Sequence, residues 1–293
     1  MYRMEEHNMS KSIESVAVLG GGFMGAGIAE SASVAGLPVV IRELPEYLAA
    51  ARTRLEKSMD SAVKRGKLDA AKRDEALARV SFTSELKDVA RSDLVIEAVP
   101  ENLALKVSIM KELNEIVSED TILSSNTSSI PIAELAGTVS RPGRVVGLHF
   151  FSPVPAMKLV EIVRALDTSD ETITTAEAFV MGLGKHSIVT KDRAGFIVNF
   201  LLTSYLMGAV RMYEEGFASR EDIDAGMKLG AGHPMGPLQL CDFIGLDVLH
   251  AVCTSMFDEF KRDEYAPPPL MKRMIASGRL GRKSGRGFYE YTQ

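Results

Sequence analysis

The chain is poor in the features that would place it at a glance. It has two cysteines in 293 residues, Cys241 and Cys253. Their spacing fits neither a metal site nor a redox pair, so both read as buried thiols in a reducing compartment, the cytoplasm. No His/Cys/Asp cluster has ligand spacing, and no serine–histidine–aspartate context occurs, so neither a metal centre nor covalent catalysis is expected. Positive charge is not in excess. A formal net charge of −5 does not invite nucleic acid or an anionic membrane. Repeats and low-complexity tracts are missing. The leader "MYRMEEHNMSKSIES" is acidic and polar without an apolar core, so it does not read as a signal peptide, and residues 1–12 are expected to be a frayed extension. The one long apolar stretch, "AGFIVNFLLTSYLMGAVRMY" (194–213), contains Asn199 and Arg211. It has no second segment or basic flank to accompany it, and reads as a core or interface helix rather than a membrane span.

What is present suits a globular protein. Apolar residues make up 46% and charged residues 25%, enough for a sizeable core, and the length favours two domains. Over the first two-thirds, apolar runs alternate with amphipathic stretches, the pattern of a parallel sheet covered by helices. "VAVLG" (16–20), "PVVIRE" (38–43), "DLVIEAV" (93–99), "TILSSN" (121–126) and "RVVGLHF" (144–150) read as buried strands. "KLVEIVRA" (158–165) and "HSIVTKD" (186–192) read as later ones. "LALKVSIMKELNEIV" (103–117) reads as a helix with Leu105, Ile109, Leu113 and Ile116 at core spacing.

After "KDRAG" (191–195) strand-like runs stop. Helices are expected over 196–215, 220–229, 237–260 and 269–277. The expected fold is therefore α/β: a Rossmann-type dinucleotide-binding domain over 1–193, then an all-α domain over 194–293. Phe196, Leu201, Leu202, Tyr205, Leu206, Met207, Val210 and Met212 surround their helix too fully for one buried face, which predicts a homodimer.

"VAVLGGGFMGAGIAESASVAG" holds Gly20-x-Gly22-x-x-Gly25 directly after a strand and opening a helix, the context that gives this short pattern its meaning. Gly20 would make the tight turn, Gly22 would let the backbone approach a pyrophosphate, and Gly25 would allow close helix–strand packing; Phe23 and Met24 belong to the same turn. Glu43, about twenty residues on, ends the second strand where an acid binds the adenosine ribose and repels a 2′-phosphate. Arg42 beside it is a counter-signal, since arginine can accommodate that phosphate. Neighbouring strand residues face opposite ways, and the balance favours NAD over NADP.

Seven motifs then occur in order: "GGGFMGAGIAESASVAG", "EAVPENLALK", "SSNTSSIPI", "GLHFFSPVPAMKLVEIV", "KDRAGFIVN", "GHPMGPLQLCDFIGLD" and "LGRKSGRGFYEY". Together they resemble the L-3-hydroxyacyl-CoA dehydrogenase family, most closely its short bacterial 3-hydroxybutyryl-CoA members, over nearly the whole chain. The resemblance implies that His149 is the general base, that Glu161 orients it, and that Ser128 and Asn199 complete the catalytic set. It also implies that Glu101, Lys106 and Asn126 line the nicotinamide half of the cofactor, and that Lys283 reaches the same site. Ser152 stands where relatives frequently carry asparagine. In the family the region of "LEKSMDSAVKRGKL" (55–68) meets coenzyme A phosphates, which points to Ser58, Lys64, Arg65 and Lys67.

The chemistry asks for these residue types. Oxidising a secondary alcohol removes a hydride from carbon and a proton from oxygen. A base near neutrality must take the proton, and histidine suits. A carboxylate on the far ring nitrogen fixes the tautomer and stabilises the imidazolium. Ser128 and Asn199 can hold the alcohol oxygen and the thioester carbonyl. Each residue alone has a plainer reading: a structural histidine, an exposed strand glutamate, a helix-capping serine, an interhelical asparagine, and solvated charges for Lys106 and Lys283. Their order behind a dinucleotide site favours an enzyme acting on an acyl-CoA thioester. A dehydrogenase of acyl-carrier-protein thioesters and a non-catalytic NAD-binding structural or sensor protein are the alternatives.

Overall fold

The computed structural model describes residues 12–291; all of the expected N-terminal extension except Ser12 lies outside them. The chain divides into two compact units between Asp192 and Arg193.

The first unit is built on an eight-stranded sheet in the order β3-β2-β1-β4-β5-β6-β7-β8. Its elements are β1 (Val16–Leu19), α1 (Phe23–Val34), β2 (Val39–Arg42), α2 (Leu48–Lys64), α3 (Ala70–Ala78), β3 (Val80–Thr83), β4 (Leu94–Glu97), α4 (Leu103–Ile116), β5 (Ile122–Ser125), α5 (Ile132–Ala136), β6 (Val145–Phe150), β7 (Leu159–Arg164), α6 (Asp170–Gly182) and β8 (His186–Lys191). Strands β1, β4, β5 and β6 are buried at every position, which is why they read as unbroken apolar runs: helices cover both faces of a parallel sheet. Val16, Val18, Ile28, Ile41, Leu55, Ile96, Leu148 and Ile162 share one core.

Three features of this unit depart from the reading of the sequence. Strand β3 is an extra element of four residues, only partly buried, paired with β2; its short, half-polar run gives no strand signal. Strands β7 and β8 are parallel to each other but run against the other six, which are parallel among themselves, so the β6–β7 pairing is antiparallel. On α4 the buried face carries Lys106, Ile109, Met110 and Leu113, whereas Leu105 is 41% exposed. A lysine takes the place expected of an apolar residue.

The second unit holds α7 (Val198–Glu214), α8 (Arg220–Ala225), a π-helical turn (Gly226–Gly230), α9 (Pro237–Ile244), α10 (Leu246–Phe260) and α11 (Pro269–Ala276). The stretch 237–260, expected as one helix, is two, bent by 98°. The break is Gly245, at φ +99°, a backbone region that side chains other than glycine rarely enter. Leu206, Met207 and Val210 of α7 pack with Leu238, Cys241, Leu249 and Cys253, so much of its apolar circumference is covered inside the unit. Leu201 and Met212 stay exposed. No single helix among the described residues is long and apolar enough to cross a membrane.

Candidate active site

Parallel strands carry their ligand sites beyond their carboxyl ends, and the notable polar residues of the first unit gather there. Gly20, one step past β1, sits at φ +97°, and a Cβ on it would lie 2.7 Å from the Ala98 carbonyl oxygen. A Cβ at Gly25 would fall 1.8 Å from the Gly20 carbonyl oxygen, whereas at Gly22 nothing lies within 4 Å. Two of the glycines thus close the turn and the third keeps space open. No side chain caps α1, so its first-turn N–H groups are left for another acceptor, a natural seat for a phosphate; Phe23 is exposed, while Met24 packs against the core.

The Glu43 carboxylate grips this loop from the end of β2, accepting from Gly21 N at 2.7 Å and Leu44 N at 2.7 Å. Its remaining lone pairs can accept ribose hydroxyls. Arg42 Nε donates to the Ser84 carbonyl at 3.2 Å, which ties that guanidinium to the β3 side. Arg54 of α2 donates to the Gly21 carbonyl at 2.5 Å, a cation that no spacing in the sequence signals. The loop, the open space at Gly22 and the acid at β2 fit the NAD that this fold binds.

His149 and Glu161 face each other as direct partners in the β6–β7 ladder. Directly opposed antiparallel residues project to the same side of the sheet, which turns a separation of twelve residues into a contact: Nδ1 to Oε2 is 2.6 Å. Glu161 is fully buried and His149 nearly so, and the imidazole lies against Phe151 at a tilt of 58°, with ring centroids 4.6 Å apart. A carboxylate on Nδ1 fixes the proton there and makes Nε2 the basic nitrogen. Asn126 ties the neighbouring strand ends together, accepting from Phe150 N at 2.9 Å through Oδ1. Ser152 lies exposed in the loop after β6.

Lys106 is buried, not solvated. Its ammonium lies 2.8 Å from each Glu97 oxygen and 3.1 Å from Glu101 Oε2. Glu97, fully buried at the end of β4, also accepts from Val99 N at 2.7 Å and Ser125 Oγ at 2.6 Å. Glu101 in turn accepts from Thr127 Oγ1 at 2.5 Å, Ser129 Oγ at 2.9 Å and Ser128 N at 3.2 Å. Burial pushes the Glu101 carboxyl up, but Lys106 and the two hydroxyls outweigh it, and the net pKa is below the ordinary carboxylate value. The turn itself is capped by Thr127, whose hydroxyl accepts from Ile130 N at 2.9 Å, so Ser128 is not the capping residue.

Ser58 lies on α2, with Lys64, Arg65 and Lys67 exposed at its end. Buried Glu30 of α1 faces this region. Burial raises its pKa against the opposing pull of Ser58, Arg65 and Lys185.

In the second unit Asn199 is the second residue of α7 and half-buried. The turn before it places Gly195 at φ +76° and Phe196 at φ +46°. A Cβ on Gly195 would lie 2.9 Å from Met256 Sδ and 3.0 Å from Phe200 N, so glycine is required there. Lys283 is paired with Asp247 at 2.6 Å.

Family models match both parts of the chain: the NAD-binding domain of 3-hydroxyacyl-CoA dehydrogenase over residues 15–193 and its C-terminal domain over 195–291. The 3-hydroxybutyryl-CoA dehydrogenase of Mycobacterium tuberculosis is 49% identical over 286 residues, 97% of this chain and 100% of that one. The crystal structure of FadB2 from M. tuberculosis superposes with a TM-score of 0.95 at 47% identity, covering 96% of this chain and 100% of its own. That of (S)-3-hydroxybutyryl-CoA dehydrogenase from Ralstonia eutropha gives 0.91 at 45% identity, with the same shares covered.

Proposed function

The chain belongs to the 3-hydroxyacyl-CoA dehydrogenase family and is an NAD-binding enzyme of that class; from that premise we propose that it interconverts (3S)-3-hydroxyacyl-CoA and 3-oxoacyl-CoA, with 3-hydroxybutyryl-CoA as the short-chain substrate. Bound NAD supplies the acceptor for the hydride that leaves C3. His149 takes the hydroxyl proton at Nε2, and Glu161 holds the Nδ1 proton in place and stabilises the imidazolium. Ser128 and Asn199 hold the alcohol oxygen and the thioester carbonyl. Glu43 reads the ribose hydroxyls and selects NAD against NADP. The observation that carries this reading is the buried 2.6 Å His149–Glu161 contact at the same sheet edge as the glycine loop.

The chain acts as a cytoplasmic homodimer in this reading. Leu201 and Met212, 64% and 41% exposed, lie about three turns apart on one face of α7, and a second copy would cover them. The two free, buried thiols suit a reducing compartment.

Steady-state NADH oxidation with acetoacetyl-CoA, longer 3-oxoacyl-CoAs and an acetoacetyl carrier-protein thioester tests the reading. The short CoA ester should give the highest kcat/KM, and NADPH should serve poorly. Turnover of the carrier-protein thioester alone would overturn the choice of coenzyme A. No turnover of any of them would overturn the reaction.

A further inference from the structure

We propose that Glu97 is a positioning residue for Ser128, acting through Lys106 and Glu101; this rests on the substrate-holding role given to Ser128 above. The buried pair at its centre is costly. A lysine and a glutamate buried to 1% and 0% exposure lose more solvation than a packed apolar pair would, so a buried ion pair is weak evidence for stability. Something other than stability has to account for it.

The hydroxyls of residues 125–129 supply the reason. Ser125 donates to Glu97, while Thr127 and Ser129 both donate to Glu101. Ser128 alone keeps its hydroxyl out of this network, and only its backbone N–H is held, by Glu101. Three hydroxyls anchor the turn and the fourth is presented. One carboxylate therefore grips three consecutive residues, and its own position is set by Lys106.

Lys106 in turn can point one way only, because both Glu97 oxygens hold its ammonium at 2.8 Å. Glu97 is itself saturated by Val99 N and Ser125 Oγ. Strand β4, helix α4 and the turn after β5 thus fix one another through a single run of charge-assisted bonds, which are shorter and stronger than neutral ones. Lys106 also helps to hold the Glu101 pKa below its ordinary value, which keeps Glu101 able to accept from all three turn residues.

The test is a coupling cycle on kcat/KM for acetoacetyl-CoA. The paired change Glu97→Gln with Lys106→Met removes the two fully buried charges at nearly constant volume and leaves Glu101, 39% exposed, to its hydroxyl and backbone donors. It should retain a cooperative thermal melt while lowering kcat/KM about 10- to 100-fold, the scale of a misplaced reacting group. Ser128→Ala should lower it comparably. Combining the two should cost little beyond Ser128→Ala alone, within about threefold, because residues that act through one another are not additive.

Additive losses in an active wild-type background, or an undiminished rate in the paired variant, would overturn the positioning role and leave the reaction standing. A wild-type enzyme inactive on every thioester would overturn the reaction, and this inference with it. Should the paired variant fail to fold, Ser125→Ala removes only one donor to Glu97. It should give a smaller loss, about three- to tenfold, again absent in the Ser128→Ala background; additivity there would overturn the proposal.

Discussion

Glu97 and Glu161 in the first unit and Asp224 and Asp242 in the second are all buried carboxyls, yet their partners differ in kind. In the first unit the partners that matter are side chains able to carry a proton, Lys106 and His149. In the second they are backbone and tyrosine. Asp224 accepts from Leu238 N and Gln239 N at the start of α9 and from Tyr289 OH. Asp242 accepts from Phe288 N, Tyr289 N and Tyr291 OH. A carboxylate facing N–H groups satisfies donors that would otherwise be stranded and ties loops to helices. A carboxylate facing an imidazole or ammonium sets the direction and protonation of a reactive group. Burial alone does not separate structure from chemistry; the partner does.

Substitutions should separate the two kinds. His149→Ala should lower kcat by about two to four orders of magnitude with NADH affinity nearly unchanged, measured by turnover and by fluorescence titration of NADH. Near-normal turnover in a folded variant would remove His149 from the reaction. Glu161→Gln keeps the shape but offers Nδ1 an amide in place of a carboxylate, so kcat should fall about 100-fold or more through loss of the correct tautomer. Asp242→Ala should do the reverse, costing about 2–4 kcal/mol in a denaturation curve by stranding buried donors, with kcat of the folded enzyme within about threefold of wild type. If Glu161→Gln only melts the protein, or Asp242→Ala only slows it, the distinction fails.

How much of this is legible in the sequence depends on range. The glycine loop is a local pattern, and the strands beside it are apolar runs, so β1, β2, β4, β5 and β6 are legible. The His149–Glu161 contact is long-range, but each partner sits in a recognisable motif. Glu97 and Ser125 lie inside two of the quoted motifs, but their contact is not legible there, because it depends on the β4–β5 register, which no window of sequence displays. Lys106 escapes the helical periodicity of α4 for a related reason. Its burial is set by Glu97 and Glu101, so charge pairing across elements overrides the apolar spacing that points to Leu105. Arg54 is one arginine on a polar helix, and only its tertiary hydrogen bond to Gly21 marks it.

Two smaller effects extend the contrast. Glu43→Ala should narrow the preference for NADH over NADPH about tenfold, the scale of a single charge-assisted hydrogen bond, read as the ratio of the two kcat/KM values. A wild-type preference for NADPH would refute that role. The carboxyls should also differ in acid. Glu101 has its pKa lowered in the fold, so its contribution to stability is present above its ordinary value of 4.5 and is lost as pH falls through the lower, folded value. Asp242 has its pKa raised, chiefly by burial, against the bonds from Tyr289, Phe288 and Tyr291. The stability it adds by binding a proton is therefore present at low pH and lost as pH rises through the raised value, apart from the donors its side chain satisfies at any pH. The Tm difference between wild type and Glu101→Gln should hold from neutral pH to about 4.5 and shrink below it; a difference that shrinks well above that pH would contradict the sign.

The reversal of β7 against β6 carries a consequence for how such sites tolerate change. His149 meets Glu161 because two strands are laced rung to rung, and the turn that joins them, residues 151–158, only has to bring the chain back. Adding or deleting residues in that turn would alter the count between histidine and glutamate without unlacing a single rung. A slip of one rung would do the opposite, keeping the count and sending one side chain to the far face of the sheet. The interval of twelve is thus an accident of turn length, and what the chemistry depends on is which rung each residue occupies.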